Sequence, residues 1–128
     1  GAAGDFLVPP QAEGDRGKYT IVLDMDETLL HSRGPIVPYA SPKLEVIALR
    51  FPCGGDVLYS IIRPYAARLI ETLAPHAELV LWTAGQQEYA RTAMRHLDPQ
   101  NAIRHSIYRD LRWFSMPNYV KDLRRLGR

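Results

Sequence analysis

Tyr19-Thr20-Ile21-Val22-Leu23-Asp24-Met25-Asp26-Glu27-Thr28-Leu29-Leu30-His31-Ser32 is the stretch that decides the fold. The apolar run Ile21-Val22-Leu23 has the length and β-branched content of a buried strand. It ends in two carboxylates, Asp24 and Asp26, which are costly to bury without compensation. In open α/β sheets, ligands bind at the carboxyl ends of the strands. A strand that delivers paired carboxylates to a site is therefore the simplest reading, and a divalent cation would let them sit together. For Asp-x-Asp alone, an Asp-rich turn capping a helix near Glu27 is the plainer alternative.

Bulk properties narrow the field. The 128 residues suffice for one domain with a core, and 46% apolar with 23% charged residues is ordinary for a globular chain. The net charge of +2 gives no overall nucleic-acid or membrane signature. No apolar run approaches the length of a spanning helix, and no secretory signal is visible. The single cysteine excludes an internal disulfide.

Residues 1–17 hold four glycines and Pro9-Pro10 and read as a flexible leader or an expression remnant, with Phe6-Leu7-Val8 able to dock. A domain is expected over 18–128. Gly34, Pro35 and Pro38 mark a loop. Residues 43–51 and 56–62 alternate around the turn Pro52-Cys53-Gly54-Gly55-Asp56, which predicts a β-hairpin. Arg63-Pro64 opens a helix with Leu69, Ile70 and Leu73 on its inner face, stopped by Pro75. Residues 78–82 form a second apolar strand ending in Thr83-Ala84-Gly85. A helix over 86–97 follows, with Tyr89, Ala93, Met94 and Leu97 inward. This order predicts α/β architecture with a parallel sheet. Residues 104–128 carry seven Lys or Arg against Asp110 and Asp122, a net +5 that would attract acidic peptides.

The run Asp24-Met25-Asp26-Glu27-Thr28 after an apolar strand resembles the nucleophile motif of the haloacid dehalogenase superfamily. More narrowly, it resembles the NLI-interacting-factor-like family, the small phosphatases of the RNA polymerase II C-terminal domain. Leu81-Trp82-Thr83-Ala84 is similar to the second motif, and Asn118-Tyr119-Val120-Lys121-Asp122-Leu123 to the third. Alone, Thr83 would read as a helix cap and Lys121 as a solvated charge. The resemblance implies a Rossmann-like haloacid dehalogenase core with an inserted β-hairpin. It implies Asp24 as nucleophile through an aspartyl phosphate and Asp26 as general acid and base. Thr28 would hold the loop. Thr83 and the Ala84 N–H would hold a phosphoryl oxygen, with Arg109 and Lys121 as further phosphate contacts. Mg²⁺ would lie at Asp24 and Asp26. Arg63 is given a structural role.

The family's fourth motif, an acidic metal ligand after Lys121, has no counterpart before Arg128, so a C-terminally incomplete fold is expected. Gly34 and Gln86 stand where related enzymes line a pocket with apolar side chains. The four histidines lack ligand spacing, so zinc is not expected. Cys53 has Tyr59, not arginine, six positions on, which argues against a cysteine-dependent phosphatase. The short segment between Asp24 and Thr83 leaves little room for a cap, which suits phosphoserine or phosphothreonine on a protein. The expectation is a magnesium-dependent phosphoprotein serine/threonine phosphatase, monomeric, intracellular and nuclear, without direct nucleic-acid or membrane contact. Two alternatives stay open: a non-catalytic phosphopeptide-binding scaffold on the same fold, and a relative of the mitochondrial inner-membrane import receptor.

Overall fold

A computed structural model describes residues 5–39 and 41–128. Two three-stranded sheets organise the chain. In the first, β1 (Tyr19–Leu23), β5 (Ala77–Trp82) and β6 (His105–Ile107) run parallel in the order β1-β5-β6. In the second, β2 (Leu30–Gly34), β3 (Glu45–Leu49) and β4 (Leu58–Ile62) run antiparallel in the order β2-β4-β3. Helices α1 (Ala66–Leu73) and α2 (Gln87–Leu97) flank β5 in sequence.

Strand β5 is the spine. All six of its residues are buried, as expected of a strand paired on both edges and covered on both faces. Its side chains alternate between two cores, as the two-residue period of a strand requires. Leu79 and Leu81 pack with Ile70 of α1, with Ala90, Ala93 and Leu97 of α2, and with Leu49 and Ile62 of the antiparallel sheet. Val80 and Trp82 point the other way, onto Leu7, Val8, Ile107, Trp113, Phe114 and Leu126.

The predicted hairpin is present as β3 and β4, but it is two-thirds of a sheet. The third strand, β2, lies where the sequence reads as the approach to a loop. The inner stripe of α1 is Ala66, Ile70 and Leu73, at i, i+4 and i+7, while Leu69 is 44% exposed. A helix of two turns buries one narrow stripe, and Leu69 falls beside it. The helix begins after Tyr65, whose φ of 68° turns the chain out of the Arg63-Pro64 bend. On α2, Ala93 and Leu97 are buried as expected and Tyr89 and Met94 pack at the core margin. The described part of the 1–17 segment is packed down: Leu7 and Val8 are buried, and Leu7 N–H donates to the Arg125 carbonyl. Asp15, also buried, accepts from Arg104 Nε at 2.7 Å.

The one polar break in β5 is Glu78, buried and fully engaged. Its carboxylate takes Arg128 Nε and Nη2 at 2.8 Å each and the Thr20 hydroxyl at 2.7 Å. The Arg128 hydrogen bonds, aided by Thr20, hold Glu78 at about 2, down from 4.5. A depressed folded value favours the ionised form. The stabilisation is therefore complete above pH 4.5 and drains as pH falls toward 2. Thermal midpoints should fall across that acid range more steeply for the natural chain than for Glu78→Gln. Arg128→Ala, which strands a buried carboxylate, should cost roughly 3 kcal/mol in urea unfolding at neutral pH.

Candidate active site

Asp24 and Asp26 leave the end of β1 in extended chain, on either side of Met25. Met25 and Leu29 are essentially inaccessible and anchor the loop from below. Alternation in extended chain sends Met25 inward and both carboxylates outward. Glu27 then adopts φ 65°, a left-handed conformation a non-glycine residue takes only when its surroundings hold it there. The Met25 carbonyl accepts from Thr28 and Leu29 N–H at 3.2 and 2.8 Å, and Glu27 N–H donates to the Leu30 carbonyl at 2.8 Å. Among the described residues these backbone bonds close the loop. The Thr28 side chain, expected to do so, makes none of its hydrogen bonds. Arg63 has the structural place foreseen for it: its N–H donates to the Leu29 carbonyl, and Nη1 donates to the Thr28 carbonyl at 3.2 Å.

Register brings the second strand alongside. Leu23 stands opposite Leu81, so the chain beyond Trp82 emerges next to the aspartate loop. A cavity of about 630 Å³ opens there, and Asp24, Asp26, Ala84, Arg109 and Lys121 all line it. Thr83 does not line it. Thr83 is buried behind, where its hydroxyl accepts the Gly85 N–H at 2.9 Å and so shapes the turn. The Ala84 N–H has no partner among the described residues and stands at the cavity wall. Arg109 clasps the same turn, with Nε donating to the Ala84 carbonyl at 2.7 Å and its guanidinium 4.7 Å from the Phe114 ring centre.

Lys121 arrives from an irregular segment, and aromatic packing fixes it there. Trp113 and Phe114 are buried against the sheet. Tyr119 packs on both, with ring centres 5.8 and 4.6 Å away. Two residues on, Lys121 Nζ lies 2.9 Å from Asp24 Oδ1, which also accepts the Met25 N–H at 2.8 Å. Asp24 Oδ2 has no partner among the described residues, and Asp24 lines the cavity. Phe51, Cys53 and Gly54, from the β3–β4 turn, form the far wall with Gln86. The Cys53 thiol is pushed up by its hydrogen bond to Glu88, which keeps it protonated and poorly nucleophilic. Gly34, the other position of the expected apolar pocket, does not line this cavity.

Tyr89 is the residue whose part the sequence conceals. Periodicity marks it as inward-facing, and it does pack at the core margin. Its hydroxyl, however, donates to Asp26 Oδ1 at 2.5 Å and pairs with Ser32 Oγ at 2.7 Å. Ser32 pairs in turn with the buried Ser60 at 2.8 Å, its partner across β2 and β4. Burial, reinforced by the Asp26 hydrogen bond, raises the phenol well above its ordinary range, so it remains a donor. The only sequence sign of this chain was a pair of serines in strands otherwise apolar on that face.

The oxygen donors suit magnesium. Asp24 and Asp26 each commit one carboxylate oxygen to protein donors, and the other has no partner among the described residues. Two hard oxygens and room for water match an ion that keeps much of its hydration shell.

Residues 19–128 match the family described as NLI interacting factor-like phosphatase. The chain belongs to that family. CTD small phosphatase-like protein 1 of Caenorhabditis elegans is 35% identical over 122 residues, covering 95% of this chain and 24% of the relative. Human carboxy-terminal domain RNA polymerase II polypeptide A small phosphatase 1 is 33% identical over 123 residues, covering 96% of this chain and 46% of the relative. The chain thus spans about a quarter to a half of the length of these curated relatives. Fission yeast Fcp1 bound to beryllium fluoride superposes with a TM-score of 0.61 at 24% identity, over 88% of this chain and 34% of that one. That likeness shows a shared α/β fold with a parallel sheet. No helix among the described residues is long and apolar enough to cross a membrane.

Tyr89→Phe deletes a donor to a carboxylate and unpairs Ser32. It should cost about 1–3 kcal/mol of stability in denaturant unfolding, whereas Ser60→Ala, at the far end of the chain, should cost less.

Proposed function

We propose that this domain is the catalytic portion of a magnesium-dependent phosphoprotein serine/threonine phosphatase acting through an aspartyl phosphate. The phosphorylated C-terminal domain of RNA polymerase II, which the human relative's name prints, is its substrate class. One observation carries the reading: the Lys121 ammonium holds one oxygen of Asp24 and leaves the other free, beside Asp26, in an open cavity.

Asp24 Oδ2 attacks phosphorus, and the bond from phosphorus to the seryl oxygen breaks. That oxygen takes the proton carried by Asp26 and leaves as the seryl hydroxyl. In the second half, Asp26 takes a proton from water as the water oxygen attacks phosphorus, which frees phosphate and restores Asp24. Lys121 offsets negative charge on Asp24 and the phosphoryl group throughout. The Ala84 N–H and the Arg109 guanidinium are donors for the phosphoryl oxygens. Thr83 supports them by fixing the turn. Magnesium, held by the Asp24 carboxylate and the Asp26 backbone carbonyl, would neutralise phosphoryl charge when bound, with the Asp26 side chain kept for the proton. The open cavity suits a side chain presented on a polypeptide, and the setting proposed is nuclear, as a monomer.

Asp24→Asn should abolish magnesium-dependent phosphate release. Asp26→Asn should slow release from a phosphoserine peptide about 10²-fold or more. It should slow an aryl phosphate much less, since that leaving group needs little protonation. Binding of phosphopeptide without any turnover by the natural chain would instead favour a phosphopeptide-binding scaffold.

A further inference from the structure

Helix α2 borders a second groove that the phosphatase reading leaves unused. It holds about 590 Å³ and is lined by Arg91, Arg95, Asp98, Asn101, Ser106 and Tyr108. Arg91 and Arg95 are four residues apart on one face of the helix, both exposed. Among the described residues neither pairs with a carboxylate. Asp98, the acid within the groove, is already committed: its two oxygens accept the Ala102 and Ile103 N–H at 2.8 and 2.9 Å. The Arg91 guanidinium lies 5.7 Å from the Tyr108 ring centre, which orients it over the groove.

The groove neighbours the active site. Glu88, on the wall of the catalytic cavity, shares the helix face of Arg91 and Arg95 at i, i+3 and i+7. On the opposite side, Tyr108 of the groove directly precedes Arg109 of the cavity. Along the helix axis this face covers about 10 Å from Glu88 to Arg95. An extended peptide advances about 3.3 Å per residue. From Glu88 to Arg95 the face thus matches about three residues of peptide, and Glu88 shares the cavity wall with Asp24, so a residue some three to five positions from a phosphoserine at Asp24 is the one to meet the two arginines.

We propose that this groove is an anionic subsite that takes a carboxylate or a second phosphate three to five residues from the scissile phosphoserine, in the same polypeptide. Planar guanidinium forks four residues apart suit such a group, which they can bind from two sides. The proposal rests on the phosphatase reading for the placement of the peptide. It makes the enzyme selective for acidic or multiply phosphorylated segments.

The test uses the 128-residue chain and a set of peptides. One has a single phosphoserine with neutral flanks. The others add an aspartate, or a second phosphoserine, at each of positions three to five on either side. Binding is read by fluorescence anisotropy and turnover by phosphate release. An acidic flank on one side should raise both affinity and kcat/KM roughly fivefold at low salt, and Arg91→Glu with Arg95→Glu should remove the gain. The milder Arg91→Gln with Arg95→Gln pair should do the same. Neither pair should change turnover of an aryl phosphate. A gain that persists undiminished in both double variants, or no gain at any position, overturns the subsite. If no substrate is hydrolysed but the acidic flank still tightens binding only in the natural chain, the subsite stands and the phosphatase reading falls.

Discussion

Parallel pairing of β1 with β5, with Leu23 set against Leu81, is the constraint on which the site depends. Parallel strands end on the same edge of a sheet, so the loop after Leu23 and the turn after Trp82 have to meet. Their apolar partners differ, yet the requirement is shared: β5 is buried on both faces and cannot slip by one residue without turning Trp82 and Val80 into the core of Leu79 and Leu81. Packing on the two faces therefore fixes the placement of Ala84 relative to Asp24. Chemistry at the strand ends inherits its precision from side chains that never touch the cavity.

Gathering charge at that edge has its own cost, and two distant parts of the chain share in meeting it. Two aspartates two residues apart repel, and each is answered from elsewhere: Asp24 by Lys121, Asp26 by Tyr89. Lys121 has no regular element beneath it. Its position comes from Trp113, Phe114 and Tyr119, whose edge-on and tilted contacts tie an irregular segment to Trp82 of the central strand. The same aromatic group carries Arg109 on the face of Phe114. One cluster thus positions both cations of the site, and it is built on the face of β5 opposite the helices.

Much of this was legible in the sequence because it is written in length and period. Ile21-Val22-Leu23 and the run ending at Trp82 are long enough and apolar enough to be strands in any surroundings. Helix α2 has a full 3.6-residue stripe, and the β3–β4 turn has its glycines. Strand β2 was not legible, since Leu30-His31-Ser32-Arg33-Gly34 carries no alternation of its own and is a strand because β4 offers it hydrogen bonds. Strand β6 is three residues long, too short for any pattern to emerge. In the site, Asp24, Asp26, Ala84, Arg109 and Lys121 could be named from motif resemblance and do converge. Thr83 was given a direct role and Thr28 a supporting one, but the Thr83 side chain lies behind the cavity and the Thr28 side chain makes none of the loop's hydrogen bonds among the described residues. Tyr89 escaped because a hydrophobic period reports which way a side chain points and says nothing of what its hydroxyl meets.

That hydroxyl bears on the chemistry proposed for Asp26. An acid that later serves as a base must present the same oxygen to the leaving group and then to water. Tyr89 donates to Oδ1, so Oδ1 is already engaged as an acceptor. Oδ2 is the oxygen of Asp26 left without a partner among the described residues. Tyr89 is itself fixed from two directions. Its ring stands close to Gly85, where a Cβ would come within 3.0 Å of it, and its hydroxyl is paired with Ser32 and through it with Ser60. The antiparallel sheet is thus more than a wall around the cavity. It reaches through two serines and a tyrosine to one oxygen of Asp26, and this hydrogen-bonded line accounts for the polar side chains at the otherwise apolar junction of β2 and β4.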